Sequence, residues 1–207
     1  MATRPAVVVL AAGRGSRFRG LQHKLMQGLG ASTVIATTLS NALATQLPVL
    51  VVTTEPLYEL INRHVATRDM VVLPGVESAA PHTLGMGYSI AAGVSARSNA
   101  SGWLILPADM PMVRTSTLQA VASELERHPV AYAQYRGRRG HPVGFAAELF
   151  SELVMLTGDE GARRLVARYP AQGVEVDDPG VLLDVDTEDD LARVRVAQQQ
   201  MLFREAR

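Results

Sequence analysis

The 207-residue chain contains no cysteine. That absence excludes disulfide scaffolds, zinc–thiolate sites, iron–sulfur clusters and thiol nucleophiles together, and it fits a reducing compartment. Neither sign of charge dominates: Lys plus Arg and Asp plus Glu both total 20. Nucleic-acid binding that rests on bulk positive charge is therefore excluded. Long apolar runs are missing too. The run at residues 6–12 falls far short of the roughly 20 residues a membrane-spanning helix needs. It is also too short for a signal-peptide core, and a Gly/Arg-rich stretch follows at once. These features predict a cytoplasmic protein with no membrane or nucleic-acid partner. Lysine is almost absent: nineteen of the 20 basic residues are arginine, and Lys24 is the one lysine. A compact ammonium used once suggests phosphate contact, against the alternative of chance.

What the chain does have is core-forming material, with 47% hydrophobic and 19% charged residues. This suits a single domain over residues 1–207. Short runs rich in Val, Leu and Ile at 6–11, 48–53, 70–73, 103–106, 131–135 and 181–185 read as buried parallel strands. Helical patterns fall between them at 33–45, 56–66 and 115–127, and a last helix opens at Thr187-Glu188-Asp189-Asp190. The turn-rich stretch 135–145 allows an inserted strand or hairpin. The alternation predicts an α/β fold, a Rossmann-like three-layer α/β/α sandwich with a mostly parallel sheet.

In such sheets, ligands bind beyond the carboxyl ends of the strands. The first strand runs into Leu10-Ala11-Ala12-Gly13-Arg14-Gly15-Ser16-Arg17. Its glycines let backbone N–H groups approach an anion, and Arg14, Arg17, Arg19 and Lys24 add positive charge. A solvated glycine turn is the alternative. A P-loop is excluded because His23 and Leu25 flank Lys24, and a dinucleotide fingerprint because Phe18 stands where a small residue is needed. The stretch Pro107-Ala108-Asp109-Met110-Pro111 ends an apolar run in an aspartate. Asp109 is either a Mg2+ ligand or a turn or cap residue. Asp184 and Asp186 share one side of the run at 181–185 if that run is a strand. One of them then serves as second metal ligand, or Asp186 merely caps the last helix. Gly85 and Ser89 open a segment whose N–H groups can meet a base, ribose or phosphate, or form a plain turn. The basic stretch 136–142 faces an anionic second substrate or solvent. The histidines show no ligand spacing.

In this order the motifs resemble the molybdenum-cofactor nucleotidylyltransferases, especially the molybdopterin cytidylyltransferase branch, of the nucleotide-diphospho-sugar transferase superfamily. The resemblance rests on the stretch from Leu10 to Phe18 with Lys24, on Pro107 to Pro111, and on Gly85-Met86-Gly87-Tyr88-Ser89. It continues through Arg138-Arg139-Gly140-His141-Pro142, Gly158-Asp159-Glu160-Gly161-Ala162-Arg163 and Asp184-Val185-Asp186-Thr187. It implies Mg2+-dependent transfer of a nucleotidyl group from a nucleoside triphosphate to a pterin phosphate, with release of pyrophosphate. Carried over by position, Leu10, Ala11, Ala12, Gly13, Arg14, Gly15 and Ser16 hold base and triphosphate, with Gly85 and Ser89 beside them. Arg17 and Lys24 neutralise phosphates, and Asp109 binds the metal with Asp186 or Asp184. Gly140, His141, Pro142, Gly158 and Asp159 line the acceptor pocket. Family loops usually read Arg-Met-Gly, with proline before the lysine; here Phe18-Arg19-Gly20 and His23 stand instead. Ala11-Ala12-Gly13 looks like the cytidine-using branch and Asp109-Met110-Pro111 like the guanine-using one; CTP is favoured. The expected partners are CTP, a molybdopterin-type acceptor, and a molybdoenzyme or its chaperone. The alternatives are another small phosphate acceptor, GTP as donor, or a non-catalytic cofactor-delivery module.

Overall fold

A computed structural model describes residues 3–13, 15–20, 22–74 and 85–205 of the chain. Its centre is a seven-stranded sheet in the order β5-β4-β1-β6-β8-β7-β9. The strands are β1 (Ala6–Ala11), β4 (Val49–Thr54), β5 (Met70–Leu73), β6 (Gly102–Pro107), β7 (Val130–Tyr135), β8 (Arg138–Ala146) and β9 (Ala171–Glu175). Strands β2 (Gly28–Leu29) and β3 (Ser32–Thr33) pair apart from it. Within the large sheet β8 alone runs antiparallel to its neighbours. The expected α/β sandwich with a mostly parallel sheet is observed.

Helices cover both faces, which is why the central strands read as unbroken apolar runs. Along β1 the side chains alternate between two cores. Val7, Val9 and Ala11 pack on one face with residues of α1 (Val34–Leu43), α2 (Glu55–Asn62), α4 (Thr115–Glu124) and α7 (Glu188–Glu205). Ala6 and Val8 pack on the other with α3 (Met86–Ser95), α5 (Phe150–Leu153) and α6 (Arg163–Arg168). Gly93 lets α3 lie close on the sheet, since a Cβ there would stand 2.4 Å from Val8 Cγ1. Trp103 and Phe145, both fully buried, fill the second core.

The helix ends follow local chemistry. Thr33 Oγ1 accepts from Ala36 N and starts α1. At α7, Thr187 Oγ1 accepts from Asp190 N while Asp190 Oδ2 accepts from Thr187 N, a reciprocal capping pair. The stretch 135–145 is a hairpin: Arg136 and Gly137 take φ of 50° and 73° in its tight turn. The expected strand at 181–185 is not formed. Pro179–Leu182 coils into a 3-10 turn capped by Asp178, and residues 183–186 join no ladder. Proline at 179 suits the first turn of a helix, and Asp178 Oδ1 accepts from Gly180 N to close it. Strand alternation therefore does not govern Asp184 and Asp186.

Candidate active site

From β1 the chain goes to β4 and β5 on one side, while β6 lies on the other. The carboxyl ends of β1 and β6 thus meet at a topological switch point, where open sheets bind ligands. Leu10 pairs with Pro107, and Ala108 N donates to Leu10 O at 3.0 Å. A cleft of about 880 Å3 opens above them.

Lys24 sits at its floor, only 8% exposed despite its charge. Its Nζ donates to Asp109 Oδ2 and, at 2.8 Å, to Asp186 Oδ1. Arg17 Nη2 meets Asp186 Oδ2 at 2.8 Å. Burial alone would lower the Lys24 pKa, but the Asp109 and Asp186 carboxylates outweigh it and raise it, so the ammonium stays charged. Burial pushes Asp186 the other way, yet its bonds to Lys24 and the Arg17 charge hold its pKa below the usual carboxylate range. Asp184 is raised, first by burial and then by its hydrogen bond to Asp186.

Neighbouring elements fix these groups. Thr38 Oγ1 in α1 donates to Ala108 O at 2.8 Å, and Asn41 Nδ2 donates to both Pro111 O and Val113 O at 3.0 Å. Helix α1 therefore grips the loop that carries Asp109. Val185 N donates to Asp109 O at 2.9 Å, which brings Asp186 alongside. Asp178, 2% exposed, accepts from Arg114 N and Thr117 Oγ1 and anchors the 3-10 turn to α4. Thr38, Asn41 and Asp178 were not singled out from sequence. For Thr38 and Asn41 the available signal was polar residues at helical spacing in a largely apolar helix, and for Asp178 an aspartate just before proline at a turn start.

Of the expected site residues, Leu10, Ala11, Ala12, Gly13, Gly15, Ser16, Arg17 and Lys24 line the cleft, together with Asp109, Asp184 and Asp186. Arg14 lies outside the described residues. Gly85 and Ser89 also line it, but Ser89 Oγ donates to Gly85 O. Gly87 N at the start of α3 is taken by Gly158 O at 2.8 Å, so that donor serves the protein. Gly140, His141 and Asp159 reach the cleft wall. Pro142 is buried behind His141. Gly158 packs against Gly85, where a Cβ would stand 2.4 Å from the Gly158 carbonyl oxygen. Burial keeps the His141 pKa below normal, against the pull of Asp109. Arg138 and Arg139 of the hairpin also line the wall, and the Arg139 guanidinium stacks 4.1 Å over the Tyr132 ring.

A hard cation fits this donor set. Mg2+ and similar ions take carboxylate oxygens, with phosphates and water completing the shell. Asp109 Oδ1 is the one buried side-chain polar atom among the described residues without a hydrogen-bond partner, and a leftover acceptor of this kind is what a cation would engage. Among the described residues no three acidic or histidine side chains form a ready-made cage. Of the two acids expected beside Asp109, Asp186 shares Lys24 with it, and Asp184 lines the same cleft.

A family model described as the MobA-like NTP transferase domain matches residues 7–174. The chain belongs to this family. It is a nucleotidyltransferase, and its donor is a nucleoside triphosphate. The purine catabolism protein PucB of Bacillus subtilis (strain 168) is 31% identical over 198 residues, covering 92% of this chain and 95% of PucB. The crystal structure of Rv0371c from Mycobacterium tuberculosis H37Rv matches with a TM-score of 0.78 at 28% identity, covering 94% of this chain and 98% of that one. The same protein has been solved in complex with manganese, with a TM-score of 0.75 to this chain. Molybdopterin-guanine dinucleotide biosynthesis protein A from Archaeoglobus fulgidus shares the fold, with a TM-score of 0.70, 16% identity, and coverage of 94% of this chain and 99% of that one. Within this MobA-like chain no helix of the described residues is long and apolar enough to cross a membrane.

Proposed function

We propose that the chain acts as one cytoplasmic nucleotidylyltransferase domain that transfers CMP from CTP to the phosphate of molybdopterin or its molybdenum form, releasing pyrophosphate. One observation carries the reading. Arg17, Lys24, Asp109 and Asp186 come from separate parts of the chain and join in one ion-paired cluster under the β1 loop. The manganese complex of Rv0371c supports a divalent ion in this setting.

An acceptor phosphate oxygen attacks the α-phosphorus of the triphosphate. The new P–O bond forms as the bond from the α-phosphorus to the bridging oxygen breaks, and pyrophosphate takes the electron pair. A phosphate dianion is already a nucleophile, so no general base is required. The obstacle is repulsion between two anions. Backbone N–H groups of Ala11, Ala12, Gly13, Gly15 and Ser16 cradle the triphosphate, while Arg17 and Lys24 offset charge at the phosphates. Asp109 and Asp186 would hold a divalent ion, Mg2+ in the simplest case, which supplies charge neutralisation and phosphate orientation when bound. His141, kept neutral, and Asp159 bound the wall where the pterin would lie, and the exposed Arg138 and Arg139 meet its negative charge. The product would pass to a molybdoenzyme or its chaperone.

The test combines a thermal-shift panel of CTP, GTP, ATP and UTP with Mg2+ and a pyrophosphate-release assay with molybdopterin. CTP should raise Tm most, by mass action, and should release pyrophosphate only with acceptor present. Asp109→Asn should keep the fold and lose about 10²–10³-fold in turnover. Larger stabilisation by GTP would reject the base assignment. Retained turnover in Asp109→Asn would reject the metal role.

A further inference from the structure

The turn that carries Lys24 begins at His23, whose φ and ψ are −54° and 140°. Its half-buried imidazole reaches in two directions. Nδ1 accepts from Leu25 N at 3.2 Å and caps the 3-10 turn Lys24–Met26. Nε2 lies 3.1 Å from the carbonyl oxygen of Gly13, in the loop after β1. A carbonyl only accepts, so Nε2 must bear the proton. A backbone N–H only donates, so Nδ1 must carry its lone pair. Both contacts demand the same neutral tautomer. Burial favours that neutral form by lowering the imidazole pKa, against the Gly13 hydrogen bond, and the adjacent Lys24 charge works with burial.

The loop also rests directly on this ring. Gly15 holds φ +60°, and a Cβ there would come 3.3 Å from His23 Nε2 and 3.4 Å from Lys24 Cγ. One side chain therefore joins two pieces that must act on the same ligand: the backbone N–H groups of the β1 loop, and the ammonium of Lys24. Without this tie the alignment of the loop with Lys24 would rest on the packing beneath Gly15.

The geometry points to His23 as a positioning residue that locks the Gly13–Gly15 loop to the Lys24 turn, so that both meet the triphosphate as one preformed unit. Its kinetic consequence rests on the donor site proposed above; the tie itself does not. Preorganisation of this kind lowers the ordering cost of binding. It should appear in the nucleotide KM rather than in the acceptor KM.

Three variants separate the contacts. His23→Phe keeps a ring and loses both bonds. His23→Asn keeps an acceptor suited to capping the turn but does not reach Gly13. His23→Gln keeps an N–H donor with the reach to Gly13. In nucleotide-free protein, hydrogen exchange should quicken within residues 13–25 in His23→Phe while the sheet stays protected. With CTP, His23→Phe and His23→Asn should raise the nucleotide KM several-fold, up to about tenfold for one lost hydrogen bond. The acceptor KM and kcat should stay within about twofold, and His23→Gln should recover most of the loss. Wild-type exchange in His23→Phe overturns the tie. An unchanged nucleotide KM, or equal loss in nucleotide KM, acceptor KM and kcat, overturns the positioning role. If the wild type releases no pyrophosphate, the donor reading fails, and the exchange experiment still decides the tie.

Discussion

Lys24 shows why one ammonium stands in a chain that otherwise uses arginine. Its Nζ fits between two carboxylates and bonds both, a contact that suits a compact ammonium with three donors on a flexible stem. On the proposed metal role, Lys24 and an incoming cation would compete for Asp109 and Asp186. In Lys24→Met the two acids lose their common partner, and removing one member of a buried ion pair costs about 3–5 kcal/mol when nothing replaces it. Metal-free Lys24→Met should therefore melt lower than the wild type. It should also bind Mn2+ more tightly by calorimetry and show a higher nucleotide KM. Unchanged Mn2+ affinity would mean that Lys24 does not share those carboxylates with a metal. At this scale Lys24, Arg17 and Asp109 were legible, because glycines, one lysine and an aspartate ending an apolar run are local signals. Strand alternation does not place Asp186, which lies in an irregular stretch after the 3-10 turn Pro179–Leu182.

The segment from Asp178 to Thr187 decides the geometry of the site. It lies close against two backbones. A Cβ on Gly140 would stand 2.1 Å from Val181 O, and one on Gly180 would stand 2.1 Å from Met112 O. Since backbone cannot swing aside as a side chain does, Gly140→Ala should push the 3-10 turn Pro179–Leu182 outward and carry Asp186 with it. Overpacking of this kind costs about 1–3 kcal/mol. Calorimetry should show a lower Tm, and turnover should fall further than the stability loss accounts for. Gly28→Ala, where nothing lies within 4 Å, serves as the control and should change neither. Equal behaviour of the two variants would show that the close approach at Gly140 does not set the site. The element pattern itself was largely readable, as buried parallel strands are continuous apolar runs. The run at 181–185 has the same composition but forms no strand: its first two residues enter a 3-10 turn that Pro179 and Asp178 stabilise, which composition does not report.

For the whole molecule, His23 and His141 couple folding to pH. Both have pKa values below the histidine reference of 6.5, chiefly through burial. The unfolded chain takes up protons near pH 6.5, while the folded chain resists them until lower pH. Stability from the two neutral rings is thus full above about pH 6.5 and is lost as pH falls through the folded values. The wild type should melt lower at about pH 5.5 than at about pH 7.5, and a His23→Gln/His141→Gln double variant should show a smaller difference. An identical difference in both proteins would assign the pH dependence to other groups.

The sequence by itself determined the layered α/β architecture and singled out the β1 loop, Lys24 and Asp109, which line one cleft. Those signals are periodicities and short motifs, carried by neighbours in the chain. Only the tertiary structure decided that Asp186 rather than Asp184 bonds Lys24, that α1 grips the Asp109 loop, and that His23 bridges Gly13 and Leu25. Apart from the short His23 bridge, these contacts join residues far apart along the chain, and they exist once the sheet has brought the strand ends together.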